Sequence, residues 1–167
     1  MQLGDLLKSV KKKYKTISIN GICFDSRKLK KKDVFFAIEG NKNSGNNFIN
    51  DVIKNGASSI VSNNKVKLNN NLVPHIVVKN VRKSLTEACS NFYKKKPSKI
   101  VAVTGTNGKS SVADFFYQIL AFNKISVASI GTLGIFSTSY HKKTNLTSID
   151  PLSLHRNLQI LKEKKIN

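Results

Sequence analysis

The sequence predicts an α/β fold in two successive parts. Short apolar runs that suit strands alternate with segments whose apolar residues recur every three to four positions, the spacing of an amphipathic helix. A lysine run that ends in proline, residues 94–97, interrupts this alternation and separates residues 1–94 from residues 95–167. In the second part, the glycine-containing stretch 104–110 joins an apolar run to a helical one. We therefore expect a small α/β domain followed by the first part of a second domain with a mainly parallel sheet.

The first part contains strand-like and helix-like segments in alternation. Its short apolar runs predict strands at residues 16–24, 34–38, 58–61 and 75–78. Helical spacing predicts helices at residues 3–12, 47–55 and 81–93. Asn80 is suited to cap the last of these helices, and Gly56 is suited to end the one before it.

The second part is expected to begin with a strand at residues 99–103. The helix after the glycine-containing stretch carries an apolar stripe that should pack onto a sheet, formed by Val112, Phe115, Phe116, Ile119 and Leu120. A further strand is expected at residues 125–130. Asp150 and Pro151 predict the N-cap and the first turn of a final helix.

The stretch 104–110 has the composition of a phosphate-binding loop. Gly105 and Gly108 allow a tight turn that directs several backbone N–H groups at one anion, and the helix that follows adds its positive end. Lys109 can then reach the β- and γ-phosphates, and Ser110 can bind the accompanying Mg²⁺. Val103 stands where the general pattern of such loops has glycine. The predicted ATP-binding residues are Gly105, Thr106, Asn107, Gly108, Lys109, Ser110 and Ser111.

The net charge of +20 raises the alternative of a basic nucleic-acid-binding module. Of the 29 basic residues, however, only Arg27, Arg82 and Arg156 are arginine, the residue whose planar fork suits phosphates and base edges. The lysine runs lie at the ends of predicted elements and not along one helical face. A solvated lysine surface is therefore the favoured interpretation, and no nucleic-acid partner is expected.

Other classes of site receive little support from the sequence. No signal-peptide pattern and no membrane-spanning apolar run occur, which predicts a cytoplasmic protein without a membrane partner. Cys23 and Cys89 are isolated, as expected for buried thiols in a reducing compartment. His75, His141 and His155 have no second ligand at metal-binding spacing, so no histidine metal site is expected.

The stretch Thr104–Ser110, TGTNGKS, resembles the phosphate-binding loop of the Mur ligase family. The first part carries further features of that family in the same order, namely Phe24-Asp25-Ser26-Arg27, residues 33–40, Gly45, Phe48-Ile49 and Gly56-Ala57. The resemblance implies a UDP-binding domain in residues 1–94 and the start of a Mur-type P-loop ATPase domain in residues 95–167. It assigns the uridine end of the substrate to Phe24, Ser26, Asn41, Lys42 and Asn43.

Residues 145–152, NLTSIDPL, are similar to the segment TTPDPL of the same family. This likeness implies that the hydroxyls of Thr147 and Ser148 contact the pyrophosphate and sugar of the substrate, with Ile149 in place of the family's proline. Residues 129–132, SIGT, resemble a strand end of the family where glycine lets the backbone approach ligand. A hairpin turn that includes Gly134 remains the alternative for this segment.

The resemblance implies an ATP- and Mg²⁺-dependent ligase of peptidoglycan synthesis. Such an enzyme adds a third amino acid, meso-diaminopimelate or L-lysine, to UDP-N-acetylmuramoyl-L-alanyl-D-glutamate through an acyl phosphate, with Lys109 as the catalytic residue and Ser110 as a metal ligand. The alternatives within this class are the family's D-Ala-D-Ala-adding ligase and a folylpolyglutamate synthetase. The glutamate, histidine, carbamylated lysine and carboxy-terminal domain that such a ligase also needs are not found before residue 167, so the chain alone is predicted to be inactive. A monomer is expected.

Overall fold

The computed structural model describes residues 1–40, 44–66, 73–143 and 149–166. The chain forms two compact units, Met1–Phe92 and Tyr93–Asn167. The boundary between them in the sequence falls just before the lysine run that begins at residue 94. Both units combine helices with strands, so the predicted α/β fold class is confirmed. No helix in the described part of the chain has the length and apolar character needed to cross a membrane.

The first unit is built on a parallel sheet of four strands in the order β1-β2-β3-β4. These strands are β1 (Gly21–Cys23), β2 (Asp33–Phe36), β3 (Ser59–Ser62) and β4 (His75–Val77). The unit's helices are α1 (Leu3–Leu6), α2 (Ile49–Lys54) and α3 (Val81–Phe92), with short 3-10 turns at Lys12–Tyr14, Ser26–Lys28 and Gly45–Phe48.

Burial of the central strands holds this sheet together. Every residue of β2 and of β3 is buried, as expected for parallel strands covered on both faces. Phe35, 1% exposed, lies in a core cluster with Ile49 and Val52 of α2 and Ile60 of β3. The apolar face of α2 thus covers the sheet, and α2 lies in the connection that joins the parallel strands β2 and β3.

Two elements of this unit, α1 and β1, are less than half as long as the sequence predicts. The helix expected at 3–12 ends at Leu6, because Leu7 has an extended conformation; its amino end is bound to residues 15–17 through the N–H groups of Leu3 and Gly4. The strand expected at 16–24 is reduced to β1, since pairing with β2 begins only at Gly21. In both cases contacts between distant segments override local spacing.

The second unit contains an antiparallel sheet in the order β5-β6-β7. Its strands are β5 (Ala128–Gly131), β6 (Gly134–Ser137) and β7 (His141–Lys142), and its helices are α4 (Lys109–Phe122) and α5 (Pro151–Glu163). The two residues between β5 and β6 turn the chain back on itself, so these strands pair antiparallel. This sheet is therefore antiparallel, whereas a mainly parallel sheet was expected here. The segment through Gly134 forms the hairpin that was the alternative for residues 129–132.

Two expectations for the second unit are not met. Residues 99–103 are not a strand, because no backbone hydrogen bond joins them to another segment among the described residues. The apolar stripe of α4 is not covered either, and no residue of that helix is buried. The hairpin lies beside α4 at Ala113 and Asp114, away from most of the stripe. Helix α5 does begin as predicted, with Asp150 accepting from the N–H of Ser153 at 2.9 Å.

The contrast between these cores leads to a stability prediction. We expect Phe35→Ala to lower the free energy of unfolding of the first unit by about 3–5 kcal/mol, because it leaves a cavity in packed surroundings. The control Phe115→Ala removes a side chain that is 62% exposed and should change stability by less than about 0.5 kcal/mol. Urea denaturation followed by circular dichroism measures both, and equal losses would contradict the described core.

Candidate functional site

The loop before α4 has the backbone geometry that anion binding requires. Gly105 and Gly108 have φ values of 146° and 76°, which residues that carry a Cβ rarely adopt. Gly108 is the N-cap of α4, and its carbonyl accepts from the N–H of Val112 at 3.0 Å. The first N–H groups of the helix therefore point out of its amino end without intrahelical partners, where they can bind phosphate oxygens.

Lys109 folds over this loop. Its Nζ donates to the carbonyl oxygens of Gly105 and of Thr106, the second at 3.1 Å. The ammonium group is thus held next to the exposed loop by two neutral oxygens, and it forms no ion pair with a carboxylate of the described residues. This positive charge and the amino end of α4 together suit a polyanionic ligand such as the phosphates of a nucleotide.

A shallow, open depression lies between α4 and the β5–β6 hairpin, with a cavity volume of only about 30 Å³. Its polar lining comes from Ser110 and Asp114, one turn apart on α4, and from Ser129 and Thr132 of the hairpin. Asp114 accepts a hydrogen bond from Gln118 Nε2 at 2.6 Å. Hydroxyl and carboxylate oxygens are the donors that Mg²⁺ prefers, so the residues present fit that ion.

The sequence analysis missed the part that Asp114 and Phe136 play in this pocket. Asp114 could have been found from its position four residues after Ser110, which places both on one helix face. Phe136 could not, because its place depends on the hairpin register. Among the described residues, no group of three or more His, Cys, Asp or Glu side chains is placed to hold a metal ion.

The second candidate site lies at the carboxyl edge of the parallel sheet, the edge at which such sheets bind ligands. The predicted residues Phe24 and Ser26 directly follow β1, and both are half-buried. Asp25 between them accepts from the N–H of Arg27 at 3.2 Å and forms two further bonds of 2.9 Å to its guanidinium. This local pairing shapes the turn that presents Ser26. Glu39, Asn63 and Arg82, which the sequence analysis did not select, lie at the same edge.

The structure brings together only some of the predicted site residues. Lys109 and Ser110 lie together in the second unit, and Phe24 and Ser26 lie together in the first. The remaining substrate residues fall outside the described residues, namely Asn41, Lys42, Asn43, Thr147 and Ser148.

Comparisons with known proteins give the family models that this chain matches and the relatives to which it is similar. Residues 18–93 match the family model described as Mur ligase family, catalytic domain, and residues 103–167 match the model described as Mur ligase middle domain. The chain is 39% identical over 151 residues to the UDP-N-acetylmuramoyl-L-alanyl-D-glutamate--2,6-diaminopimelate ligase of Rhizobium meliloti, covering 90% of this chain and 31% of that protein. The ligase of the same name from Rickettsia prowazekii is 39% identical over 158 residues, with 92% and 32% covered. The chain thus spans about a third of the length of these relatives.

Solved structures show the same fold. A structure of UDP-N-acetylmuramoyl-L-alanyl-D-glutamate--2,6-diaminopimelate ligase superposes with a TM-score of 0.77 at 21% identity, covering 98% of this chain and 34% of that one. A MurF ligase from Thermotoga maritima in complex with ADP gives a TM-score of 0.56 at 25% identity, with 81% and 29% covered.

The Asp25–Arg27 pair leads to a prediction about pH. The Arg27 guanidinium holds the pKa of Asp25 below its usual value, so the pair stabilises the fold above the ordinary aspartate pKa and this contribution disappears as pH falls through the lowered value. Since Arg27 is 86% exposed, solvent screens the pair and its contribution should be small.

The test compares the unaltered chain with Asp25→Asn in urea denaturation at several pH values. We expect the variant to be less stable at pH 7 and equal to the unaltered chain in strong acid. A difference that grows as the pH falls would contradict this description of the turn.

Proposed function

This chain belongs to the Mur ligase family, and we propose that it forms the UDP-binding domain and the start of the ATP-binding domain of a ligase that joins 2,6-diaminopimelate to UDP-N-acetylmuramoyl-L-alanyl-D-glutamate. The observation that carries the proposal is the loop at residues 104–110, with its left-handed Gly108 at the start of α4 and Lys109 above it. The names of the relatives favour diaminopimelate over lysine or a dipeptide as the added group.

The chemistry proposed for the loop is phosphoryl transfer to a carboxylate. The substrate carboxylate attacks the γ-phosphorus of ATP, ADP leaves, and an acyl phosphate forms. The amine of diaminopimelate then attacks the acyl carbon, and inorganic phosphate leaves as the amide forms. In such a reaction the protein mainly aligns the groups and neutralises charge on the transferring phosphoryl group.

Specific groups of the chain suit each part of this task. The N–H groups at the amino end of α4 bind the phosphates, and Lys109 moves from its bonds to Gly105 and Thr106 onto the β- and γ-phosphate oxygens. The neutral carbonyls that hold it are easily exchanged for charged phosphate oxygens, which form stronger hydrogen bonds. Ser110 would hold Mg²⁺, which neutralises phosphate charge when bound.

The uridine end of the substrate is assigned to the carboxyl edge of the first unit. Ser26 presents a half-buried hydroxyl there, on a turn that Asp25 and Arg27 shape. Phe24, also half-buried, offers an aromatic ring to a base. The uridine would thus bind in the first unit and ATP in the second, and Thr147 and Ser148 of the second unit remain assigned to the pyrophosphate and sugar of the UDP-linked substrate. A cytoplasmic location and a monomeric state belong to the same proposal.

Replacement of the loop lysine tests the proposal directly. In the intact protein, Lys109→Ala should lower kcat/KM at least about 100-fold, equivalent to roughly 3 kcal/mol of transition-state stabilisation, because it removes the positive charge proposed to contact the β- and γ-phosphates. The assay measures phosphate released in the presence of UDP-N-acetylmuramoyl-L-alanyl-D-glutamate and diaminopimelate.

Lys99→Ala is the matched control, since this lysine is exposed in the same unit and its side chain forms no hydrogen bond or ion pair among the described residues. It should retain normal activity. Near-normal ligation by Lys109→Ala would contradict the assignment.

A further inference from the structure

A polar network joins four segments of the first unit at the carboxyl edge of its sheet. Arg82 of α3 donates to the main-chain oxygen of Glu39 at 3.1 Å. Asn63, just after β3, donates from Nδ2 to Oε1 of the same glutamate at 2.9 Å. Asn46 then donates to Oδ1 of Asn63 at 3.4 Å. Glu39 is therefore held through its backbone by one residue and through its side chain by another.

Backbone contacts hold the residues around Glu39 close to those around Ser44. Glu39 and Ser44 form an antiparallel bridge, and the N–H of Gly45 donates to the carbonyl of Ile38 at 2.9 Å. A Cβ on Gly45 would lie 2.7 Å from the Ile38 nitrogen, which is closer than such atoms approach. Only glycine permits this closure, so the position of the loop base is set by backbone packing.

The helix that carries Arg82 is itself firmly placed. The apolar side of α3 is buried at Val81, Leu85, Ala88 and Cys89. Its amino end is capped by Asn80, whose Oδ1 accepts from the N–H of Lys83 at 2.9 Å. Because Arg82 is the second residue of this packed helix, its hydrogen bond ties Glu39 to the core of the unit.

The network is poorly suited to a role in global stability. Arg82 is exposed, and a single hydrogen bond from an exposed side chain to a neutral carbonyl adds little to global stability. What the contact achieves is local: it sets the direction of the main chain as it leaves β2.

The chain leaves β2 next to the segment that contains Ser26, one of the predicted uridine-binding residues. β1 and β2 are parallel neighbours in register, with Cys23 opposite Phe35. Ser26 follows the first strand and Glu39 follows the second, and neighbouring strands lie about 4.8 Å apart. The two exits therefore share one stretch of the sheet edge.

We propose that Arg82 and Asn63 are positioning residues for the UDP end of the substrate. By holding Glu39 from two sides, they keep the main chain beside Ser26 in the conformation that receives the nucleotide, without touching it themselves. This inference rests on the proposed function, because it concerns the same substrate. It assigns a role to two residues outside the motif that contains Ser26.

The test measures the affinity of the intact protein for UDP-N-acetylmuramoyl-L-alanyl-D-glutamate and for ATP by calorimetry. Arg82→Ala should weaken binding of the UDP substrate about fivefold to tenfold, the loss expected when one ordering hydrogen bond is removed. ATP affinity and the thermal midpoint should not change. Arg82→Lys should recover most of the affinity, because an ammonium group can also donate to the Glu39 carbonyl.

Two comparisons sharpen this test. Lys83→Ala, at the next position of α3, removes an exposed cation whose side chain forms no hydrogen bond or ion pair in the described part of the chain, and it should bind normally. Asn63→Ala should weaken the UDP substrate by a similar factor. Because both residues act on Glu39, the double variant should lose less than the product of the two single losses.

The outcomes distinguish a failure of the positioning role from a failure of the proposed function. Equal substrate affinities for Arg82→Ala and Lys83→Ala would overturn the inference, as would a joint loss of UDP-substrate and ATP affinity with a lowered thermal midpoint. If Arg82→Ala does not fold, Arg82→Lys and Asn63→Ala carry the same comparison. Failure of the unaltered protein to bind the UDP substrate would instead contradict the proposed function.

Discussion

The parallel pairing of β2 with both of its neighbours is the constraint on which the first unit depends. β2 pairs with β1 on one side and β3 on the other, and all of its residues are buried. Because the strands run in one direction, the segments that follow them emerge at one edge. Ser26, Glu39 and Asn63 are far apart in sequence, yet each follows a strand of this sheet. The proposed UDP site is thus a consequence of strand direction.

The proposed nucleotide site of the second unit depends on local backbone geometry instead. Gly108 turns the chain through a left-handed conformation directly into α4, so the loop and the helix end act as one surface. Lys109 completes this surface by lying over carbonyls of its own loop. A positive charge bound only to neutral oxygens is ready to exchange them for phosphate oxygens. Local backbone geometry, and not a deep cavity, therefore prepares this part of the chain for a nucleotide.

Local signals in the sequence predicted much of this arrangement. The phosphate loop and α4 were predictable because glycine, lysine and helical spacing act within a few residues. The hairpin, the shortened β1 and the uncovered α4 were not, because each depends on which distant segments pair. The network around Glu39 could not be foreseen for the same reason: Arg82 lies 43 residues away in sequence, and only the packing of α3 brings it to the loop.

The central claim is that the first unit binds the uridine end of the substrate and the second unit binds ATP, and amide hydrogen exchange of the intact protein tests it most directly. Mg²⁺–ATP should slow exchange of the amides of residues 105–111 and leave those of Ser26 and Glu39 unchanged. The UDP-linked substrate should slow exchange at Ser26 and Glu39 and leave the loop unchanged. Protection of both regions by either nucleotide alone, or no protection of the loop by ATP, would contradict this account.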